Sequence, residues 1–325
     1  MATESAGALG REELIEAYRV MRTIRAFEER VHTEFTTGEL PGAVHLYAGQ
    51  EAVAAGVCGA LAEGDYIAST HRGHGHAIAK GCDINEMMRE LYGKAGGSCN
   101  GKGGSMHIAD FERGMLGANG VAAGGAPLAC GSALSAKVLD KTHVSVAFVG
   151  DGAANQGSFA ESLNLATVWQ LPVVFVVEDN GYAQATGTRY HLRGLDVARR
   201  AEAYGMPATI VDGTDYFAVR AATEAAVERA RTGGGPSLIE CKAGRFFGHM
   251  EGFDQQGYRG EGEVERLRAD ADCLDRFAAA SELPADDLAA VDVTVDAAVE
   301  VAVADAKAAP APDLAELLTD VYVTY

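Results

Sequence analysis

A short set of residues near the middle of this 325-residue sequence is suited to binding a metal ion and a phosphate. Asp151 stands between Gly150 and Gly152, and Asn180 lies 29 residues further on. Carboxylate and amide oxygens are hard ligands that suit Mg²⁺, which completes its coordination shell with water and substrate phosphates. Glycines on both sides of the acid let the backbone approach a bulky ligand. The pattern therefore predicts a site for Mg²⁺ bound to a diphosphate.

Two elements must bring these ligands together. The apolar runs 144–149 and 173–177 are typical of buried strands in a parallel sheet. Between them, residues 158–170 carry apolar side chains at spacings of three and four, which predicts a helix. The strands of such a βαβ unit end at the same edge of the sheet. Asp151 and Asn180 each follow a strand, so we expect both to lie in one crevice there.

The rest of the chain continues the alternation of helical and strand patterns. Helices are predicted over 12–36, from about residue 50, from about residue 196, and over 216–231, 263–280 and 286–308, with further strands over 208–211 and 237–241. This alternation is typical of an α/β fold. We expect a doubly wound, mostly parallel sheet with helices on both of its faces.

Composition limits the partners, the compartment and the domain organisation. The net charge of −19 argues against nucleic acid and membrane as partners, since both require basic patches. Six cysteines without a Cys-x-x-Cys pair indicate reduced thiols in the cytoplasm, and we see neither a secretory signal nor a membrane-spanning run. We expect a flexible N-terminus over 1–11, one large domain over 12–283, and a C-terminal helical extension over 284–325 that packs on this domain or on a partner.

Histidine and arginine side chains in Gly-rich loops are further candidates for chemistry. His45 could transfer protons at neutral pH, although a lone loop histidine is more often structural. His71, His74 and His76 raise the hypothesis of a zinc site. Against it, no fourth ligand stands at a recognised spacing, and Arg72 would place a cation among the ligands. The planar guanidinium of Arg72 suits a phosphate, which it can grip with two hydrogen bonds.

Two nucleotide-binding patterns are incomplete in this sequence. The run GGSCNGKG has Gly103 where an ATPase loop needs Ser or Thr for Mg²⁺, and no strand precedes it. Gly150, Gly152 and Gly157 miss the Gly-x-Gly-x-x-Gly turn of a nicotinamide-dependent dehydrogenase. Such a dehydrogenase on a similar sheet remains an alternative function, as does a non-catalytic scaffold subunit. The glycine density over 93–131 instead indicates backbone wrapped around a ligand or another subunit.

The motifs GDGAANQG and EDNGYAQAT resemble the α subunit of two-chain, thiamine diphosphate-dependent 2-oxo acid dehydrogenases, the E1 component. PGAVHLYAGQEA, GKGGSMHIAD and NGVAAG are similar to the same family, and the likeness spans about residues 12–270. It implies the thiamine diphosphate-binding fold of the pyrophosphate-binding type. The family usually carries two adjacent asparagines, and here the first is Asp179. The run GHMEG resembles acetoin and bacterial pyruvate relatives, and it has Met250 where kinase-regulated relatives have serine.

This resemblance implies thiamine diphosphate and Mg²⁺ as cofactors, with the metal bound by Asp151, Asn180 and the carbonyl of Tyr182. It implies further cofactor contacts from His71, Arg72 and Arg245 at the diphosphate, from the backbone of Gly120 and Ala122 at the aminopyrimidine ring, and from Gly150, Gly152 and Ala153 around the acid. The implied catalytic residues are His45, at the reactive end of the cofactor, and His249, which assists acyl transfer.

The implied reaction is cleavage of acetoin or decarboxylation of a 2-oxo acid. The acyl or hydroxyalkyl unit would pass to the lipoyl group of an acyltransferase or to an acyl carrier protein. The cofactor also needs an activating glutamate, which in the resembled family comes from a separate β subunit. We therefore expect an α2β2 heterotetramer in which this chain is inactive without its β subunit.

Overall fold

A computed structural model describes residues 9–194, 196–253 and 257–320 of the chain. Its helices are α1 (Arg11–Phe35), α2 (Glu51–Gly59), α3 (His74–Ala79), α4 (Ile84–Leu91), α5 (Gly125–Val138), α6 (Gly157–Trp169), α7 (Thr188–His191), α8 (Ala198–Glu202), α9 (Tyr216–Arg231), α10 (Glu263–Ala271), α11 (Cys273–Ser281) and α12 (Ala285–Ala308). Its strands are β1 (Tyr66–Ala68), β2 (Met115–Gly117), β3 (Ser145–Gly150), β4 (Val173–Asp179), β5 (Tyr182–Ala183), β6 (Thr186–Gly187), β7 (Ala208–Asp212) and β8 (Ser237–Lys242).

A six-stranded sheet forms the centre of the fold, in the order β2-β1-β3-β4-β8-β7. Every neighbouring pair in this sheet is parallel. The central strands β3 and β4 are apolar along almost their whole length, as strands covered on both faces must be. A small antiparallel pair, β5 and β6, follows β4 directly. The expected α/β fold with a parallel sheet is confirmed.

Helices cover both faces of the sheet. Along β3, Val146 and Phe148 point into one apolar cluster, while Ala147 and Val149 point into another. The first cluster contains side chains from α1, α2, α3, α4, α9 and α12, and the second contains side chains from α5, α6 and α8. Because successive residues of a strand face opposite sides, each central strand contributes to both layers. The strand ends, where polar side chains follow, are thereby held rigidly.

The C-terminal part differs from the sequence prediction in one place. The helix predicted over 263–280 is two helices, because α10 ends at Ala271 and α11 begins at Cys273. Asp272 causes the break: its side chain accepts a hydrogen bond from the Leu274 amide, as an N-cap does, and also pairs with Arg25 of α1. The last long helix, α12, packs on α1 and α4. The division into segments at 11 and 283 remains a prediction, and residues 1–8 and 321–325 lie outside the described part.

No helix in the described ranges combines the length and apolarity that a bilayer crossing requires.

A buried polar network lies between the sheet and the loop that precedes α2. The Tyr47 hydroxyl donates to the carboxylate of Glu178 on β4. His76 Nε2 lies 3.1 Å from the same carboxylate, and its Nδ1 lies 2.7 Å from Ser69 Oγ. The Tyr47 ring lies so close to α3 that a Cβ on Gly75 would be 2.1 Å from Tyr47 Cδ1. Only glycine fits at this position.

We expect Gly75→Ala to destabilise the protein by about 1–3 kcal/mol, since the added methyl group must displace a ring that is fully buried. Thermal or denaturant unfolding of the purified protein measures the change. Gly64→Ala is the matched control, because Gly64 is exposed and an added Cβ there would meet no atom within 4 Å. Its effect should stay within about 0.5 kcal/mol. Equal effects of the two substitutions would contradict the packing argument.

Candidate active site

A cavity of about 280 Å³ opens at the carboxyl ends of β3 and β4. Most of the predicted site residues line it: His71, Arg72, Ala122, Gly150, Asp151, Gly152, Ala153, Asn180, Tyr182, Arg245 and His249. Two of the predicted residues, His45 and Gly120, are not part of the lining. The expected convergence of the two strand ends therefore occurs, together with loops from distant parts of the chain.

The turn after β3 packs directly on the turn after β4. The backbone amide of Asp151 lies 3.3 Å from the carbonyl oxygen of Glu178 and donates to it. A Cβ on Gly152 would lie 2.4 Å from the Cβ of Ala183, so a side chain here would push the turns apart. The Asp151 carboxylate is 2 % exposed and faces the cavity beside Asn180.

One hydrogen-bond acceptor in the two turns that follow β3 and β4 has no partner among the described residues. Asn180 Nδ2 donates to Gln50 Oε1 over 2.9 Å, while Asn180 Oδ1 is buried without a hydrogen-bond partner among the described residues. Asp151 Oδ2 accepts a hydrogen bond from Thr188 Oγ1 over 3.1 Å and lies 3.4 Å from His191 Nε2. A buried acceptor without a partner is costly, and a cation beside it removes the cost.

The electrostatics of Asp151 also call for a cation. Burial raises the pKa of the Asp151 carboxyl, and the negative charge of nearby Asp179 raises it further. A positive ion placed between Asp151 and Asn180 Oδ1 would stabilise the charged carboxylate and satisfy the amide oxygen at once. The donor set, one carboxylate and one amide oxygen, is the hard kind that Mg²⁺ takes. The described residues therefore fit the predicted metal.

Two buried guanidinium groups, those of Arg72 and Arg245, line the cavity and donate to neutral carbonyl groups. Arg72 donates to the carbonyl oxygens of Leu46 and His249, at 2.5 and 2.9 Å. Arg245 donates to the carbonyl of Gln184 over 3.1 Å, and its Nε is buried without a partner among the described residues. Burial and then Arg245 lower the pKa of Arg72 to about 9, and burial lowers that of Arg245. Two crowded cations of this kind are suited to a multiply charged anion.

Three imidazole rings form a cluster beside the arginines. The ring centroids of His45 lie 4.7 Å from His71 and 4.9 Å from His249, so His45 forms the layer behind the lining. Burial, followed by the charge of Arg72, lowers the pKa of His45 to about 3, of His71 to about 2 and of His249 to about 4. The rings are therefore neutral at physiological pH.

The structure separates the histidines that raised the zinc hypothesis. His74 turns inward to Glu28 and Ser105, and His76 turns to the Glu178 network, so neither meets His71. The ligand nitrogens of His45, His71 and His249 do lie within 4.8 Å of one another. Arg72 and Arg245 flank that cluster, and their positive charges oppose the binding of a metal ion by the three histidines.

A long loop after β8 is folded back onto the cavity. Arg259 Nη1 donates to the carbonyl of Arg245 over 2.9 Å, and Nη2 donates to the carbonyl of Phe247 over 2.8 Å. Glu263, the first residue of α10, accepts a hydrogen bond from the Tyr182 hydroxyl over 2.7 Å. The loop that carries Arg245 and the turn that carries Tyr182 are thus tied together.

The NGVAAG segment borders the mouth of the cavity. Ala122 lines it, whereas the predicted contact Gly120 is exposed and lies outside the lining. Val121 also lines the mouth although its side chain is 68 % exposed.

Several lining or contacting residues were not predicted from the sequence: Gln50, Asn119, Glu178, Gln184, Thr188 and His191. Gln50 belongs to the PGAVHLYAGQEA motif, so its position could have been found there. Thr188 and His191 contact Asp151 only because β5 and β6 fold α7 back toward it, and no sequence period announces that fold.

Fold and site together define an α/β protein in which a metal-ligand pair and an anion-binding arginine pair share one cavity at the ends of parallel strands. The sequence matches the dehydrogenase E1 component family over residues 19–315. The chain belongs to this family.

Individual relatives are similar over nearly the full chain. The α subunit of acetoin:2,6-dichlorophenolindophenol oxidoreductase from Cupriavidus necator is 56% identical, over 98% of this chain and 96% of the relative. The same subunit from Bacillus subtilis is 54% identical with the same coverage. The α subunit of the pyruvate dehydrogenase E1 component from Rhizobium meliloti is 38% identical over 96% of this chain and 90% of its own length.

These likenesses confirm the family inferred from the motifs, and they extend beyond residue 270, where the motif likeness weakened. They confirm an oxidoreductase of the E1 type and its α subunit, and the nicotinamide-dependent alternative is dropped. Membership of the family implies use of thiamine diphosphate, and the α-subunit names of the relatives imply a β partner.

The histidine cluster makes a prediction about pH. Each ring has an unfolded pKa near 6.5 and a lower folded one, so the unfolded chain binds more protons between about 6.5 and 4. Stability is therefore fully present above the unfolded value and is lost as pH falls through this window. The slope of the unfolding free energy against pH is proportional to the number of protons taken up on unfolding. We expect His45→Gln to lower this number by up to one in the ligand-free protein, which reduces the slope by up to about 1.4 kcal/mol per pH unit.

Denaturant unfolding at a series of pH values measures that slope. His107→Gln is the matched control, because His107 is exposed and outside the cavity lining, and it should leave the slope unchanged. A slope for His45→Gln equal to that of the unmodified protein would show that His45 accepts protons as readily in the folded state.

Proposed function

We propose that Asp151, Asn180 and the backbone carbonyl of Tyr182 hold Mg²⁺, and that this metal binds the diphosphate of thiamine diphosphate. The observation that carries the proposal is the unpartnered, buried Asn180 Oδ1 beside the Asp151 carboxylate. In the same cavity, Arg72 and Arg245 offer positive charge to the anion. A metal diphosphate satisfies all of these groups together.

The opposite walls of the cavity have different tasks in this proposal. Arg72, Arg245 and His71 bind the diphosphate, with Gly150, Gly152 and Ala153 forming the close backbone wall around Asp151. The NGVAAG segment at the mouth supplies Ala122, which lines the cavity, and Gly120, two residues before it, for the aminopyrimidine ring. Gly120 lies outside the lining of this single chain, so its contact requires the covering subunit to complete the mouth.

Bound thiamine diphosphate supplies an electron sink for breaking a carbon–carbon bond next to a carbonyl group. In our proposal, His45 and His249 act on the charge that develops there. Both rings are neutral in the ligand-free chain, because burial and the arginine charges disfavour the imidazolium. A diphosphate beside Arg72 offsets part of that positive field, which moves the histidines toward a pKa useful for holding a proton.

We infer that acetoin is the favoured substrate class, with pyruvate as the second candidate. The relatives named for acetoin are 54–56% identical, and the pyruvate dehydrogenase relatives are 34–40% identical. The hydroxyalkyl or acyl unit then passes to an acceptor, for which a lipoyl group or an acyl carrier protein is the proposal. All six cysteines are free thiols, which supports a reducing compartment such as the cytoplasm.

An α2β2 assembly fits the exposed apolar surface around the cavity mouth. Val121, which lines the mouth, is 68 % exposed, and Phe111 and Leu128, which line a separate groove that also includes Leu116 of β2, are 68 and 49 % exposed. Large exposed apolar groups near a functional cavity mark an interaction surface. The β subunit is proposed to cover this surface and to supply the glutamate that activates the cofactor.

Asp151→Ala should abolish binding of thiamine diphosphate with Mg²⁺, since it removes the charged metal ligand and leaves Asn180 Oδ1 alone. Isothermal titration of the α–β complex measures this binding. Glu161→Ala is the control, because Glu161 is exposed on α6, one helical segment away, and is not part of the lining. Binding that survives in the Asp151 variant would refute the proposed metal site, and absence of binding in the unmodified complex would favour the non-catalytic scaffold.

Acetoin oxidation should require both chains. We expect less than about 1 % of the activity of the reconstituted complex from the α chain alone, because removal of a catalytic proton-transfer group typically costs 10²–10⁴-fold. The assay follows reduction of 2,6-dichlorophenolindophenol, with acetoin and pyruvate compared at equal concentrations. Full turnover by the isolated α chain would refute the two-subunit assembly, and a preference for pyruvate would reverse the substrate assignment.

A further inference from the structure

Asp179 directly precedes the proposed metal ligand Asn180 and is nevertheless turned away from the cavity. It is the last residue of β4, and its side chain is buried. Its Oδ1 accepts a hydrogen bond from the Gly181 amide, and its Oδ2 lies 2.7 Å from Lys242 Nζ. Asp179 lines the groove on the far side of Tyr182 together with Lys242, and it is absent from the lining of the cavity.

Lys242 is the cation in a cage of carboxylates. Besides Asp179, its Nζ lies 2.6 Å from Glu240 Oε1 and 3.1 Å from Asp196 Oδ1. All three of these carboxylates accept a hydrogen bond from the ammonium. Glu240 is fully buried and its other oxygen accepts from the Ala198 amide over 2.7 Å. The cage is therefore a built feature with fixed partners on β4, β8 and the segment before α8.

Asp179 lies at the same strand end as both proposed metal ligands. It directly precedes Asn180, and the carbonyl oxygen of Glu178, the residue before it, accepts a hydrogen bond from the Asp151 amide over 3.3 Å. An uncompensated carboxylate so close to Asn180 would act in two ways. It would draw a divalent cation more strongly, since Mg²⁺ prefers carboxylate oxygens, and it would repel a diphosphate.

We propose that Lys242 is a positioning residue that holds the Asp179 carboxylate outside the metal coordination shell and offsets its charge at the diphosphate site. The inference rests on the proposed Mg²⁺–diphosphate site and deepens it. It goes beyond a role in joining the strands, because the ends of β4 and β8 are already joined by the backbone hydrogen bond from the Ala243 amide to the Asp179 carbonyl.

The experiment uses the α–β complex and four variants: Lys242→Met, Asp179→Asn, the double variant, and Lys242→Arg. Electron paramagnetic resonance measures Mn²⁺ affinity at saturating thiamine diphosphate, with Mn²⁺ replacing Mg²⁺. Isothermal titration measures thiamine diphosphate affinity at saturating Mg²⁺. Circular dichroism and a melting curve establish that each variant is folded.

Opposite signs are the expected result. Lys242→Met should tighten Mn²⁺ binding by about tenfold and weaken thiamine diphosphate binding by a similar factor, as loss of one nearby charge predicts. Asp179→Asn should weaken Mn²⁺ binding and tighten thiamine diphosphate binding. The double variant should return both affinities close to those of the unmodified complex, and Lys242→Arg should preserve them.

A purely structural role of the Lys242–Asp179 pair gives a different pattern. Both single variants then weaken the binding of Mn²⁺ and of thiamine diphosphate, and the double variant restores neither affinity. That pattern, or unchanged affinities in all variants, would overturn the proposal. The Asp151→Ala complex separates this failure from failure of the metal site itself. If Asp151→Ala abolishes Mn²⁺ binding while the Lys242 and Asp179 variants match the unmodified complex, only the positioning role is refuted. If Asp151→Ala leaves Mn²⁺ binding intact, the proposed site is refuted.

Discussion

The parallel register of β3 and β4 is the constraint on which the site depends. Gly150 stands opposite Glu178, so the two strands end within one residue of each other at the same edge. Asp151 and Asn180 can then meet only because neither strand extends past the other. The apolar layers on both faces of the sheet fix this register, since a shift of one residue would turn every buried side chain to the wrong face. Packing far from the cavity thereby sets the geometry of its ligands.

Charge is distributed unevenly over this molecule. The chain as a whole carries a net charge of −19, yet its cavity contains two buried guanidinium groups. One side of the cavity has the buried carboxylate of Asp151, which a cation would stabilise, and the other side has the guanidinium groups of Arg72 and Arg245, which an anion would stabilise. Buried groups left in this state reduce the stability of the ligand-free protein. In the proposed site, the same groups would provide binding energy once their counter-ions are present.

The long periodic elements were predictable from the sequence, and the short ones were not. The helix expected over 216–231 is α9 (Tyr216–Arg231), and the strands expected over 144–149 and 173–177 differ from β3 and β4 by one or two residues at an end. β1 and β2 have three residues each, too few to show a period. Backbone pairing to their neighbours, rather than their own pattern, makes them strands.

For the site, the sequence was informative where chemistry depends on neighbouring residues and uninformative where it depends on tertiary contacts. Asp151 and Asn180 were found because both follow strands. Gln50 could not be placed against Asn180 without knowing how the loop before α2 folds onto β4. The motif likeness drew attention to Asp179 as a departure, but only the structure shows that Asp179 pairs with Lys242, 63 residues away.

The contacts of Arg259 and Glu263 have a consequence for local motion. Arg259 holds the carbonyls of Arg245 and Phe247, and Glu263 holds the hydroxyl of Tyr182. Because the two anchors are only four residues apart at the start of α10, releasing one wall of the cavity disturbs the other. We therefore expect both walls to open as one cooperative unit, smaller than the domain. A ligand that binds either wall should then stabilise both against opening.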